Sequence, residues 1–189
     1  MHSNTSPRPP AVFFRFRRNA ASFPDAAAFF VAAQAVGFQH AGMRMKILAA
    51  GRPALGYAKL AIEEYTRRLS RFGRVDLEFV KAGPPGEVSR SLLKRSEGSY
   101  RVVLDERGEL PGTRQLAKRI SALEMRGDIK SVAFLIGAAD GHSEELRSRA
   151  DFILSLSRLT LQHELALVVL LEQLYRIADL RRGGPYHRD

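Results

Sequence analysis

LSLSRLTLQHELALVVLLEQLYRIADLRRGGPYHRD, residues 154–189, is the stretch that decides the fold. It opens as the end of an apolar, β-branched run, DFILSLS (151–157), which reads as a strand. The connection LSLSRLTLQHE (154–164) is unusual, because it stays apolar up to the next helix. A loop of that composition belongs against something, either ordinary core or the apolar part of a ligand. HELALVVLLEQLYRIADLRR (163–182) then reads as one long helix ended by Gly183 and Gly184. Leu167, Leu170, Leu171 and Leu174 make much of that helix apolar, more than one domain face needs, which points to a homodimer. Glu172, Tyr175 and Arg176 share one helical face, where the simplest expectation is an intrahelical ion pair between Glu172 and Arg176. The chain ends on Tyr186, His187, Arg188 and Asp189, four polar or charged groups behind a proline. Such crowding raises the possibility that the tail folds back to complete a site, where most termini are loose.

Upstream, strands and helices alternate. KILAA (46–50) is a buried strand closed by Gly51, Arg52 and Pro53, and YAKLAIEEYTRRLSRF (57–72) carries apolar residues at helical spacing. DLEFVK (76–81) is the next strand, and EVSRSLLKRSEG (87–98) the next helix. YRVVLD (100–105) is followed by an LPGT turn and the helix RQLAKRISALEMR (114–126), with Thr113 as its cap. SVAFLIG (131–137) leads through GAADGHS into a short helix, EELRSRA. Parallel strands need crossover helices, so this alternation predicts an α/β sandwich around a mostly parallel sheet of five to six strands, five of them read directly. Ligands of such sheets sit beyond the carboxyl ends of the strands. That rule selects the loops after VVLD, FLIG and LSLS.

Composition narrows the chemistry. With 189 residues, 45% of them hydrophobic, the chain supports one domain with a full core. It has no cysteine, which excludes disulfides, thiolate metal sites and a cysteine nucleophile and fits a reducing cytoplasm. No stretch approaches the roughly 20 apolar residues of a membrane span. The formal net charge of +10 favours a polyanionic partner. Residues 1–44 hold five arginines against one aspartate, so the chain from Met45 onward is basic by itself.

That opening segment shows no period that would bury a face, and its apolar run AAAFFVAAQAVGF (26–38) behind an arginine cluster has only the outline of a targeting signal. Met43 and Met45 precede the strand-like MKILAAG, so residues 1–44 are expected to be a disordered arm or to lie upstream of the natural start.

FLIGAADGHSEE sets small residues between a buried strand and a helix start, which suits close backbone approach to a ligand as well as a plain tight turn. It is neither a dinucleotide fingerprint nor a P-loop. His163 and His187 lack the spacing and carboxylates of a metal site, and no G-x-S-x-G elbow supports a hydrolase.

Taken together, MKILAAG, VVLDERG, FLIGAADG and the long block ending in PYHRD resemble the RlmH (YbeA-type) family of SPOUT-superfamily methyltransferases from Met45 to Asp189. The resemblance implies a SPOUT α/β fold with a C-terminal trefoil knot, a rare exception to unknotted chains. It implies S-adenosylmethionine as methyl donor, and a cytoplasmic homodimer with a shared active site that methylates N3 of a pseudouridine of 23S ribosomal RNA within the ribosome, without membrane or metal. Carried over by position, the donor pocket is expected from Leu104, the loop of Gly137, Ala138 and Gly141, and Ser157, Arg158, Leu159, Thr160, Leu161 and Gln162. Ala138 and Gln162 depart from the glycine and proline common in the family. In the tail, His187 is expected to take or relay the proton, Tyr186 to position the base and Arg188 to hold a phosphate. A SPOUT enzyme acting on transfer RNA and a non-catalytic RNA-binding module are the competing classes.

Overall fold

The computed structural model describes residues 43–187. The expected N-terminal extension up to residue 42 and the candidate Arg188 lie outside the described residues.

Five strands form one parallel sheet: β1 (Arg44–Ala50), β2 (Val75–Val80), β3 (Tyr100–Glu109), β4 (Ser131–Ile136) and β5 (Phe152–Leu154), in the order β2-β1-β4-β3-β5. The helices between them are α1 (Gly56–Leu69), α2 (Pro85–Arg95), α3 (Thr113–Met125) and α4 (Glu144–Ser148), and α5 (His163–Arg181) follows β5. Side chains alternate across a strand, and the register makes that alternation run across the whole sheet. Leu77, Ile47, Phe134, Val102 and Phe152 stand side by side on successive strands and pack under α1, α3 and α5. One residue further on, Leu48, Leu135 and Val103 face the opposite layer, where Val88, Leu92 and Leu93 of α2 and Leu146 of α4 cover them. Both faces are buried, which is why these strands read as continuous apolar runs.

α5 lies in the first layer with Leu167, Leu170, Leu171, Leu174 and Ile177 buried. Its outward side, with Leu165 exposed and Ala166 and Val169 half-buried, is not covered by this chain to the same degree. No helix among the described residues is long and apolar enough to cross a membrane.

Most boundaries shift by a few residues, and three of the differences bear on the site. Strand β3 runs past VVLD to Glu109, because Glu109 pairs again with Leu154 after the intervening residues loop out. Strand β5 is three residues long, and the run after Leu154 leaves the sheet. Thr113 is the first helical residue rather than the cap; its hydroxyl donates to Gln173 Oε1 at 2.8 Å, tying α3 to α5, while Gln115 Oε1 accepts from the Gly112 N–H at 2.8 Å.

Candidate active site

The loops after β3, β4 and β5 meet at the carboxyl edge of the sheet. After β4 the chain turns at once: Gly141 N–H donates to Ala138 O at 3.0 Å, and Gly141 takes φ +76°, a conformation that favours glycine. Gly137 has no room for a side chain, since a Cβ there would stand 2.9 Å from Gly141 O and 3.1 Å from His142 Cε1. At Ala138 the extra methyl is accommodated against the α2/α4 core.

His142, not singled out in the sequence, joins two of the three loops. It is 5% exposed, and its Nε2–H donates to Leu104 O at the end of β3, 3.0 Å away. Burial pushes its pKa below the usual histidine range, outweighing the Leu104 carbonyl and Asp105, so the ring is neutral near pH 7. Its own carbonyl accepts from Arg147 Nη1 at 2.8 Å, and Arg147 lies 3.6 Å from Asp105. Ser143 caps α4, its Oγ accepting from Leu146 N–H at 3.3 Å.

The third loop is held by hydroxyls. Ser155 N–H donates to Glu109 O at 2.8 Å, Ser155 Oγ–H to Ser157 O at 2.8 Å, and Leu159 N–H to Ser157 Oγ at 2.9 Å. Thr160 Oγ1–H reaches Glu106 Oε2 at 2.7 Å, so the looped-out stretch of β3 and the loop after β5 are bonded to each other. Only the start of this connection is buried. Ser155 is enclosed and Leu156 packs on the core, but Arg158, Thr160 and Gln162 are exposed and Leu159 is 75% exposed. Gln162 caps α5, its Oε1 accepting from the N–H groups of Glu164 (2.8 Å) and Leu165 (3.0 Å), which accounts for the departure from proline.

Glu164, also absent from the sequence reading, completes the edge. It is 6% exposed, and Oε2 accepts from Ala54 and Leu55 N–H, each at 3.0 Å, fastening the loop after β1 to the start of α5. Burial pushes its pKa up, but the two N–H donors outweigh it and hold the carboxyl below the usual range. A glutamate in a first helical turn reads as a dipole partner, and only the fold shows its distant bonds.

The tail is built elsewhere. Gly183 turns the chain at φ +71°, and Tyr186 lies back along α5 near Glu172, about 14 Å of helix rise beyond His163. Tyr186 O–H donates to Glu172 Oε1 at 3.2 Å, which leaves Tyr65 to donate to Tyr186 across 3.3 Å. The Tyr186 ring stands edge-on to Tyr175 at 4.7 Å, with the Arg176 guanidinium over its face at 4.7 Å. The expected Glu172–Arg176 pair is present, with Arg176 Nε 3.0 Å from Glu172 Oε1. Burial, followed by the bond with Tyr65 and the charge of Glu172, pushes the Tyr186 phenol far up, so it stays protonated. The structure therefore gathers the donor-loop residues Leu104, Gly137, Ala138, Gly141, Ser157, Arg158, Leu159, Thr160, Leu161 and Gln162 at one edge and holds Tyr186 on the α1/α5 face.

A parallel sheet with its polar turns gathered at the carboxyl edge of β3, β4 and β5 defines a class that sequence comparison makes specific. The family model described as a predicted SPOUT methyltransferase matches residues 43–187, and the chain belongs to that family. Among curated relatives, the Ribosomal RNA large subunit methyltransferase H of Thermus thermophilus is 53% identical over 146 residues, covering 77% of this chain and 99% of that one. Proteins of the same name from Deinococcus radiodurans and from Anaeromyxobacter sp. strain K are 38% and 41% identical, each match covering 77% of this chain and 99% and 100% of theirs. The resemblance to the RlmH family drawn from the PYHRD block holds.

Proposed function

We propose that the protein is an S-adenosylmethionine-dependent methyltransferase of 23S ribosomal RNA that modifies N3 of a pseudouridine within the ribosome. The observation that carries this reading is the joined set of loops after β3, β4 and β5, hydrogen-bonded to one another in a chain whose curated relatives are named large-subunit rRNA methyltransferases. The donor set fits S-adenosylmethionine. The Gly141 backbone is open, with nothing within 4 Å of where its Cβ would be, the exposed Leu159 offers an apolar contact, and Ser157 and Thr160 carry hydroxyls. When bound, the sulfonium supplies an electrophilic methyl group.

Leu104 and the Gly137–Gly141 turn would form one wall and residues 157–162 the other. Holding donor and base in line is the main contribution of such a site, because alignment removes much of the entropic barrier. N3 must also shed its proton as it becomes bonded to the methyl carbon. His187 takes or relays that proton, and Arg188 holds a phosphate. Tyr186 contributes to placing the base, through the tail that it anchors to α1 and α5.

The enzyme acts as a homodimer whose active site is shared between chains. The separation of Tyr186 from the donor loops supports this, as does the incompletely covered side of α5. A trefoil knot is supported by the close approach of the looped-out residues 105–108 to the end of β5, where Gly108 lies against the backbone of Ile153 and Leu154. The catalytic domain is residues 45–189 with 1–44 as an extension, since the match that spans almost the whole of the relatives takes up only 77% of this chain. The work is done on ribosomes in the cytoplasm.

Incubation of the protein with labelled S-adenosylmethionine, ribosomes lacking the modification and total transfer RNA, followed by separation of the RNAs, tests the reading. Label in the 23S fraction is expected; label in transfer RNA alone, or donor uptake without transfer, would contradict it.

A further inference from the structure

The bond network around the tail points to a residue with no role so far. Asp179 sits in the last turn of α5 and binds the returning chain with two different groups. Its carboxylate Oδ2 accepts from Tyr186 N–H at 2.9 Å, and its backbone carbonyl accepts from Gly184 N–H at 2.9 Å. The fit is close. A Cβ on Gly184 would land on the Asp179 carboxylate, so the glycine is required by the aspartate rather than by its own φ. Gly183 supplies the left-handed turn that sends the chain back. Tyr186 is then fastened at its far end by Glu172 and Tyr65, so the tail is pinned at backbone and side chain before the chain reaches His187.

We infer that Asp179 is a positioning residue: with Gly184 as its steric partner it fixes the direction in which His187 and the residues after it are presented to the target base. This rests on the reading above, in which the tail serves methyl transfer. Two pins on one residue set an orientation that a single anchor does not. Without the Asp179 carboxylate, the Tyr186 side chain keeps its hydroxyl bonds, and its backbone is left with only the long contact from Arg176 Nη1 to its carbonyl at 3.5 Å, about which it swings. A displacement of about 1 Å at a reacting group costs on the order of a hundredfold in rate.

The test compares wild-type protein with Asp179→Ala, Gly184→Ala and Asp179→Asn, by hydrogen exchange of the tail amides, calorimetric binding of S-adenosylmethionine and single-turnover methylation of ribosomes. Asp179→Ala and Gly184→Ala are expected to speed exchange in residues 184–187 by at least about tenfold, local opening being independent of the global core. Transfer should fall by about a hundredfold, with the thermal midpoint unchanged. Asp179→Asn keeps an oxygen for Tyr186 N–H and should retain most of the activity. Unchanged tail exchange in Asp179→Ala would overturn the clamp. Faster exchange with wild-type transfer would overturn the positioning role, as would a loss of transfer that merely tracks a loss of thermal stability. Failure of the underlying reading shows separately, as absence of transfer to 23S RNA by the wild-type protein, and the positioning claim falls with it.

Discussion

Gly108 and Ile153 meet backbone to backbone: a Cβ on Gly108 would stand 2.6 Å from Ile153 O and 2.7 Å from its carbonyl carbon. The excursion between Leu104 and Glu109 thus lies against the end of β5 with no space for a methyl group. Neither backbone yields easily, because Ser155 N–H is bonded to Glu109 O just beyond this contact. Gly108→Ala is expected to cost at least about 1–3 kcal/mol, the range for overpacking. Thermal unfolding should show a midpoint lower by several degrees, about 2–4 °C per kcal/mol for a domain of this size. An unchanged midpoint would mean that this contact is looser than described.

Glu164 makes stability depend on acid. Its folded pKa lies below the ordinary 4.5, so the unfolded chain binds the proton more readily. Its contribution is complete above that value and is lost as the pH falls below it toward the folded pKa. Glu164→Ala strands the Ala54 and Leu55 N–H groups, and hydrogen bonds to a charged group are worth about 1.5–3 kcal/mol. Urea titration of both proteins at pH 7 and at pH 4 should show the difference between them shrinking at the lower pH.

His142 works in a higher window. Its folded pKa lies below the ordinary 6.5 of histidine, so protonation is favoured in the unfolded chain and stability falls as pH drops below that value. Asp105 and Arg147 are the charged groups beside it, with opposite effects on its titration. His142→Leu removes the titration and the bond to Leu104 O, costing about 1 kcal/mol at neutral pH. The variant's midpoint should lose less than that of the wild type between pH 7 and pH 5. Equal losses would assign the titration to another group.

His187 is tested by rate. His187→Ala should retain binding of S-adenosylmethionine while transfer falls by about 10²–10⁴-fold, the usual worth of a placed acid or base. Full activity across pH would remove proton transfer from its role.

The sheet was legible because both faces of its central strands are buried, so KILAA, VVL and VAFLI are uninterrupted apolar runs, while the edge strand β2 alternates Asp76 and Glu78 with apolar residues. The β5 boundary was not, since Leu156 and Leu159 continue the apolar alternation after the chain has left the sheet. Gly137 and Gly141 announced a tight turn, and the structure supplies one. His142, Glu164 and Asp179 gave no signal for a different reason. Each acts through a backbone group brought to it by the fold: Leu104 O, the N–H groups of Ala54 and Leu55, and the N–H of Tyr186. Side-chain patterns do not encode such partners. The tail showed the converse, its residue types being conspicuous while the anchoring of Tyr186 on α1 and α5 depended on where the return turn aims it.

The central claim is that this chain transfers a methyl group to one base of large-subunit RNA. The measurement that tests it most directly is mass spectrometry of nucleosides from ribosomes lacking the modification, after incubation with the protein and isotopically labelled S-adenosylmethionine. A single labelled N3-methylpseudouridine from the 23S RNA is predicted. Label on any other base or RNA, or none at all from protein that binds the donor, would contradict it.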